Sequence, residues 1–198
     1  MLSERAAAEV LAARQGLGRE QARQLLLTGA AGAGRRVGRS TGYDDVLVHD
    51  LAQRPPAALG FLAETCPHGV HVARIRRGRT FRCDWPWVRQ AEALAVQPPM
   101  TPMTRALVVH VPLVAFDGLP WVATVSGFVV LAAVATGARL TEDGRIRFDL
   151  EPAGDWREAV EGRWFHTGPG RHWFAWHPDR LTSPADTMSA WPPHPPAS

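Results

Sequence analysis

Lysine is absent from this 198-residue chain, and all 22 of its basic side chains are arginines. Arginine carries the same charge as lysine, but its planar guanidinium can donate two parallel hydrogen bonds to phosphate oxygens or to a guanine edge. Cysteine is scarce, since only Cys66 and Cys83 occur, and this excludes a disulfide scaffold. No apolar core of a secretory signal follows residues 1–5, so we expect a cytoplasmic, reducing setting.

One stretch, residues 118–138, lacks charge over a length that could span a bilayer. Pro120, Gly127 and Gly137 interrupt it, and its many valines favour strands. We therefore predict two buried strands with a bend at Ser126-Gly127 and no membrane association.

Charge is distributed unevenly along the chain. Residues 1–54 hold eight arginines against six acidic residues, and residues 55–90 hold six against two. Residues 91–198 hold eight arginines against eleven acidic residues. A polyanionic partner is therefore expected to bind the first half of the chain.

The amino-terminal residues have the pattern of two short helices. Ser3 can cap a helix that runs to Gln15, and residues 16–18 provide a turn. A second helix begins at Arg19 and ends at Gly29, which suits a C-cap. Helical spacing predicts core contacts in the first helix from Ala7, Val10 and Leu11, and in the second from Ala22, Leu25 and Leu26.

A basic hairpin and a third helix are predicted next. Arginines dominate residues 35–39, and Asp44 or Asp45 can cap a helix in which Val46, Val48 and Leu51 supply apolar contacts. Pro55-Pro56 ends this helix.

Residues 1–54 resemble the excisionase and MerR-type winged helix-turn-helix family of DNA-binding proteins. The likeness is carried by Leu2-Ser3-Glu4, Ala6-Ala7, Gly16-Leu17, Arg19, Ala22-Arg23, Leu26, Gly29, Arg36, Gly38, Arg39, Tyr43, Asp45, Val46 and Leu51. The chain departs from the family pattern at residues 12–15, which add about one turn to the first helix.

The resemblance implies that the second helix enters the major groove and that the hairpin, or wing, lies on the backbone. It places four side chains of that helix near base edges or flanking phosphates: Arg19, Gln21, Arg23 and Gln24. It assigns wing contacts to Arg35, Arg36 and Arg39.

The rest of the chain is predicted to be β-rich, so the fold class is α+β. A linker or short connecting helix over 55–62 leads to a domain over 63–177, for dimerisation or partner binding, and residues 178–198 form a Pro-rich disordered tail. Within that domain we expect a helix over 87–96, a short helix over 156–160, and strands over 105–115, 121–140, 145–150 and 173–176.

Alternating residues over 70–76 and a possible return strand over 80–85 predict a second hairpin. Its face would carry Arg74, Arg76 and Arg82, and its tip Arg77 and Arg79. This arginine group is either a further phosphate-binding surface or a solvated edge that charge protects from aggregation.

Other combinations of residues are weaker candidates for a site. Cys66, His68, His71 and Cys83 are zinc-binding types, but their spacing is not a usual paired pattern, and core or surface roles are favoured. His166, His172 and His177 lie among three tryptophans, which indicates an aromatic edge more than a metal or sugar site. Asp149 and Glu151 can share a strand face and could serve as paired carboxylates in acid–base chemistry. Without a nucleophile nearby, surface charge is the favoured interpretation.

The sequence therefore predicts no catalytic residues, no metal and no cofactor. We expect a sequence-specific protein for double-stranded DNA, a bacterial transcription regulator that acts as a homodimer and is not an enzyme. Its carboxy-terminal domain could also bind a protein. Two alternatives stay open, a protein-interaction or structural factor and an enzyme with its site in the β-rich half.

Overall fold

A computed structural model of the chain describes residues 1–76, 78–116, 118–165 and 173–178, without the side chains of Val108 and Phe174. Amino-terminal helices and a small three-stranded sheet are followed by a β-rich half with a six-stranded sheet. The predicted α+β class is confirmed. The predicted tail, beyond Pro178, lies outside the described residues.

The amino-terminal unit alternates short strands with helices. Its elements are β1 (Leu2–Ser3), α1 (Glu4–Gln15), α2 (Arg19–Leu27), β2 (Arg35–Val37), β3 (Ser40–Tyr43) and α3 (Asp45–Gln53). The strands pair antiparallel in the order β1-β3-β2. Both predicted caps are confirmed, because the Ser3 side chain accepts a hydrogen bond from the Ala6 amide at 3.2 Å and Asp44 accepts from the two amides that follow Asp45.

The three helices bury the stripes that the sequence predicts. Ala7, Leu11, Ala22, Leu25, Leu26, Val48 and Leu51 are each at most 2% exposed, and Val10 packs against them while half-buried. The prediction for Val46 is wrong, because its side chain is 66% exposed on the outer side of α3. Gly29 follows the end of α2 in the left-handed region, at φ +77°.

The β-rich half contains six strands and several short helices. Its elements are α4 (Leu59–Thr65), β4 (Val70–Arg74), α5 (Trp87–Ala95), β5 (Val96–Gln97), α6 (Pro102–Arg105), a π-helical turn (Ala106–His110), α7 (Val111–Ala115), β6 (Leu119–Val125), β7 (Phe128–Leu140), β8 (Ile146–Pro152), a 3₁₀ helix (Asp155–Ala159) and β9 (Trp173–Trp176). The strand order is β5-β8-β7-β6-β4-β9. The β4–β6 pair is parallel and the other pairs are antiparallel.

The uncharged stretch forms two neighbouring strands of this sheet, β6 and β7, as predicted. They are joined at Ser126 and Gly127, which have φ values of +53° and +86°. Most of their side chains are buried. Within the described ranges, every helix is too short or too polar to cross a membrane.

The predicted hairpin of 70–76 with 80–85 is wrong. β4 pairs with β6 and β9, and residues 80–85 form a loop. The alternation of the sequence correctly indicated a strand, but it carries no information on the pairing partner, and β4 is buried inside the sheet rather than exposed at an edge.

The predicted strand over 105–115 is also wrong, because this segment is helical. The Thr101 side chain accepts a hydrogen bond from the Thr104 amide at 3.3 Å, and Pro102 occupies the first turn. These helix-start signals outweigh the β preference of the valines that follow.

The two halves are joined by direct hydrogen bonds around residues 55–58. The Ala57 amide donates to the Trp164 carbonyl at 2.8 Å, and the Ala58 amide donates to the Ala159 carbonyl at 2.9 Å. The Trp164 indole N–H donates to the Leu51 carbonyl at the end of α3. One cluster of buried side chains includes residues of α1, α2, α3 and of β6 to β8, so the helices pack on the β-rich half.

Candidate functional site

The antiparallel pair β2–β3, residues 35–43, is named the basic hairpin here. Arg35, Arg36 and Arg39 are all exposed on it. The Arg36 Nε lies 3.4 Å from the carbonyl oxygen of Gly38, whose φ of +62° makes the turn. Among the residues that the structure describes, no carboxylate forms an ion pair with these three arginines. The hairpin therefore presents three charges to solvent.

The arginines of α2 are exposed but paired with α1. Arg19 Nη2 lies 3.5 Å from Glu9 Oε1, and Arg23 Nε donates to Glu4 Oε1. Exposed ion pairs of this kind contribute about 0–1 kcal/mol. Exchange of either carboxylate for a phosphate therefore costs little.

The two glutamines predicted near bases have different surroundings. Gln21 Oε1 accepts a hydrogen bond from the Gly18 amide at 2.8 Å, so this side chain caps the start of α2. Gln24 is half-buried. The Gln21 carbonyl also accepts a hydrogen bond from Ser126 Oγ at 2.9 Å, which ties α2 to the turn between β6 and β7.

The outward face of α2 lines a cleft of about 520 Å³, across which lies the segment 75–82. The described residues around it come from α2, from that segment and from the end of β6: Glu20, Arg23, Gln24, Leu27, Thr28, Ile75, Arg76, Gly78, Arg79, Thr80, Phe81, Arg82 and Val125. The cleft was not predicted, because it depends on how the two halves pack.

The segment that closes the cleft is fixed at both ends. The Ile75 amide donates to the Thr124 carbonyl, and the Cys83 amide donates to the Thr28 carbonyl at the end of α2, each at 2.8 Å. Arg79 Nε and Nη2 donate to the carbonyls of Ala93 and Val96 at 2.9 and 2.7 Å. Burial lowers the pKa of Arg79, whose guanidinium holds the carboxyl end of α5.

The other arginines of the predicted second hairpin are dispersed. Arg74 is half-buried, and its pKa is lowered by burial and by the charge of Arg76. Arg76 is exposed on the cleft, whereas Arg77 lies outside the described residues. Arg82 binds Asp84 through two bonds, Nε to Oδ1 at 2.8 Å and Nη2 to Oδ2 at 2.6 Å, which fixes its guanidinium at the rim.

The cysteines and histidines of the weak metal pattern do not assemble into a site. Cys66 is buried on one side of the sheet, and burial raises the pKa of its thiol to about 11. Cys83 lies beside the end of α2. Across the described ranges, no three His, Cys, Asp or Glu side chains are grouped for a metal ion. His166 and His172 lie outside those ranges.

His71 is instead a core residue. Its ring lies 5.8 Å from Trp173, 5.3 Å from Phe148 and 6.5 Å from Trp121, between ring centroids. It is 1% exposed, and neither ring nitrogen has a hydrogen-bond partner among the described residues. Burial lowers the pKa of His71 to about 3, so the ring is neutral at physiological pH.

The carboxylates Asp149 and Glu151 contact neighbouring strand residues. Asp149 forms an exposed ion pair with Arg139 at 3.0 Å, and Glu151 Oε1 lies 3.5 Å from Thr136 Oγ1. These contacts are typical of a strand surface.

An exposed apolar stripe runs along the helical segment 102–116. Its members are Met103, Leu107, Val111 and Val114, which are 54–88% exposed. Sequence reasoning missed this surface because the segment was predicted as a strand. The helix-start signal at Thr101-Pro102 could have revealed it.

Comparisons of the chain with family models, with curated proteins and with solved structures gave no match in any of the three. Function is therefore inferred from the geometry and charge of these surfaces.

Proposed function

We propose that this protein binds double-stranded DNA through the basic hairpin and α2, as a homodimeric transcription regulator. The observation that carries the proposal is the exposure of Arg35, Arg36 and Arg39 on a hairpin beside two short capped helices. This arrangement suits a winged helix-turn-helix, in which a helix lies in the major groove and a wing lies on phosphates. The resemblance of residues 1–54 to the excisionase and MerR-type family favours the same assignment.

The proposed DNA contacts would be of two kinds, phosphate contacts that hold the duplex and base contacts that recognise its sequence. The hairpin arginines would bind phosphates, which gives affinity without sequence information. Arg19 and Arg23 would leave Glu9 and Glu4 and reach phosphates or base edges from the first turns of α2. Arg76 and Arg82, on the opposite rim of the cleft, would lie beside a duplex held by α2.

The exposed stripe on 102–116 supports a dimer. A second copy of the chain placed on this stripe would cover side chains that are 54–88% exposed, and a stable interface needs about 1,200 Å² of buried surface in total. A single short helix gives limited specificity, and two copies on paired half-sites would increase it.

Salt-dependent DNA binding tests the hairpin. The change of Arg35, Arg36 and Arg39 to Ala should lower the slope of log K against log salt by about 2.7, since each phosphate contact contributes about 0.9. Fluorescence anisotropy with a labelled duplex measures this. The matched control replaces Arg139, Arg145 and Arg157, exposed arginines of the β-rich half, and should leave the slope unchanged. Equal slopes for both triple variants would refute the hairpin contact.

Reading by α2 is tested separately. Selection of bound sequences from a random pool should yield a different preferred site for Arg23→Ala than for the original chain. A uniform loss of affinity on all sequences would make Arg23 a backbone contact.

The dimer is tested by sedimentation. Leu107→Glu with Val111→Glu should convert a dimer to a monomer, because two charges would be buried in the contact. Val88→Glu, at a side chain 65% exposed on α5, is the control and should remain dimeric. A monomeric original chain at micromolar concentration would exclude the dimer.

A further inference from the structure

The two-residue turn Ser126-Gly127, which joins β6 to β7, has an unusual residue in its first position. Both residues have positive φ, +53° and +86°, between the paired residues Val125 and Phe128. Positive φ at both central positions is the pattern of a type I′ turn, which favours asparagine, aspartate or glycine. Within the described ranges, Ser126 is the only residue other than glycine with a positive φ. Serine therefore has a conformational cost here that glycine would avoid.

The Ser126 side chain makes a contact that glycine cannot make. Its Oγ donates a hydrogen bond at 2.9 Å to the carbonyl of Gln21, in the first turn of α2. The bond spans 105 positions of sequence and joins the β-rich half to α2, the helix that packs against β6. The conformational cost of this residue is thus coupled to a contact between the two halves, and such a residue points to a function of the contact.

The turn that carries Ser126 is fixed by its own surroundings. The Phe165 amide donates to the Gly127 carbonyl at 2.7 Å, next to the serine. A β-bulge interrupts the pairing of β6 with β7 between Ala123 and Thr124, close to the turn. Bulges increase the local twist and redirect the end of a hairpin. The turn is therefore a firm support for a contact with α2.

α2 is held to the β-rich half at its end as well as at its start. The Cys83 amide donates to the carbonyl of Thr28, the C-cap of α2, at 2.8 Å. A nine-residue helix is about 13 Å long, so a tilt of about 10° around Thr28 would displace the first turn by about 2 Å. The proposed DNA contacts Arg19 and Arg23 lie near that start, and a binding site loses its fit when its groups move by more than about 0.5 Å.

We propose that Ser126 is a positioning residue for α2, whose hydroxyl bond fixes the angle between α2 and the β-rich half. The apolar stripe that supports the dimer belongs to the β-rich half, so this angle sets the distance between the two α2 helices of a dimer. Ser126 thereby determines which spacing of paired half-sites is bound. The effect on spacing rests on the proposed DNA-binding dimer, whereas the effect on α2 is a property of the single chain.

Hydrogen exchange of the full chain, measured by mass spectrometry, tests the positioning of α2. Ser126→Gly and Ser126→Ala both remove the hydroxyl, so the amides of residues 22–25 should exchange at least about threefold faster, as expected for one lost hydrogen bond. Glycine relieves the positive φ and alanine does not, so Ser126→Gly should melt about 2–4 °C above Ser126→Ala. Faster exchange in both variants despite this difference would make the hydroxyl, and not overall stability, responsible. The control Thr65→Ala removes a hydroxyl bond to the Phe61 carbonyl within the β-rich half and should leave exchange in α2 unchanged.

DNA binding tests the effect on spacing. The duplexes carry two copies of the half-site selected from the random pool, with centres about 8 to 13 base pairs apart, around the helical repeat of about 10.5. A duplex of the wrong spacing is bound only if α2 moves, and breaking the Ser126 bond is part of that cost. Ser126→Gly should therefore reduce the ratio of affinities between the best and the worst spacing by at least about threefold. Affinity for a single half-site should stay the same, which a general loss of folding would not allow.

Unchanged exchange of α2 in both Ser126 variants would overturn the proposal, as would equally fast exchange in Thr65→Ala. Faster exchange with an unchanged spacing ratio would overturn the role in spacing, and so would an original chain that binds every spacing equally well. Faster exchange of α2 in a chain that ignores duplex DNA would retain Ser126 as the residue that positions α2 and reject the proposed function.

Discussion

Stability at mildly acidic pH should depend on one buried side chain, His71. The unfolded chain has an ordinary histidine pKa of 6.5 at this position, whereas burial lowers the pKa of the folded state to about 3. Between these values the unfolded state binds a proton that the folded state excludes. The free energy of unfolding is therefore unaffected by His71 above pH 6.5 and falls as the pH drops below it.

The magnitude follows from the linkage relation. Each pH unit below 6.5 should cost about 1.4 kcal/mol, which gives a loss of about 2 kcal/mol at pH 5. The groups around the ring are aromatic, Trp121, Phe148 and Trp173, so no described carboxylate is placed to stabilise the charged form.

Urea unfolding at pH 7.5, 6.0 and 5.0 measures the effect. His71→Leu and His71→Phe should both have a flatter dependence on pH than the original chain, by about 2 kcal/mol at pH 5. Carboxylates contribute equally to all three chains and cancel in the comparison. His110→Gln, at an exposed histidine, is the control and should keep the original dependence. Parallel curves for the original chain and both His71 variants would refute the buried neutral imidazole.

Three further substitutions test local contacts that the fold depends on: a tight backbone contact, a buried arginine and a helix cap. Gly69→Ala should destabilise the chain by about 1–3 kcal/mol in thermal melts, since Gly69 has φ +94° and a Cβ there would overlap the Trp176 carbonyl oxygen. Gly60→Ala, a control in helix α4 where a Cβ meets open space, should leave the stability unchanged or raise it. Equal losses of stability in the two variants would contradict the steric explanation. Arg79→Met should cost about 1.5–3 kcal/mol in urea unfolding by removing two charge-assisted bonds to the end of α5, and an unchanged midpoint would show that these bonds contribute little. Asp44→Ala should lower the free energy of unfolding by about 1 kcal/mol, because the side-chain cap of α3 is lost. Urea unfolding measures this change, and an unchanged free energy of unfolding would reject the capping role.

Local signals in the sequence were sufficient for the amino-terminal helices. Ser3 and Asp44 cap helices because a short side chain can reach amides within the next three residues, and this needs no tertiary contact. Local sequence was also sufficient for the turn at Ser126-Gly127 and for the apolar faces of the three amino-terminal helices, which are buried. The exposed arginines of the basic hairpin also follow from the chain itself, because three charges so close together cannot all be buried.

Pairing partners and shared surfaces depended on the tertiary structure. The alternation over 70–76 predicted a strand, but only packing placed β4 between β6 and β9, since a period of two does not encode a neighbour. The same packing turned Arg79 towards the end of α5 and buried His71. The cleft exists because residues 20–28 meet residues 75–76 and 78–82, which lie 47 or more positions further along the chain, and sequence pattern carries no geometry over such a distance.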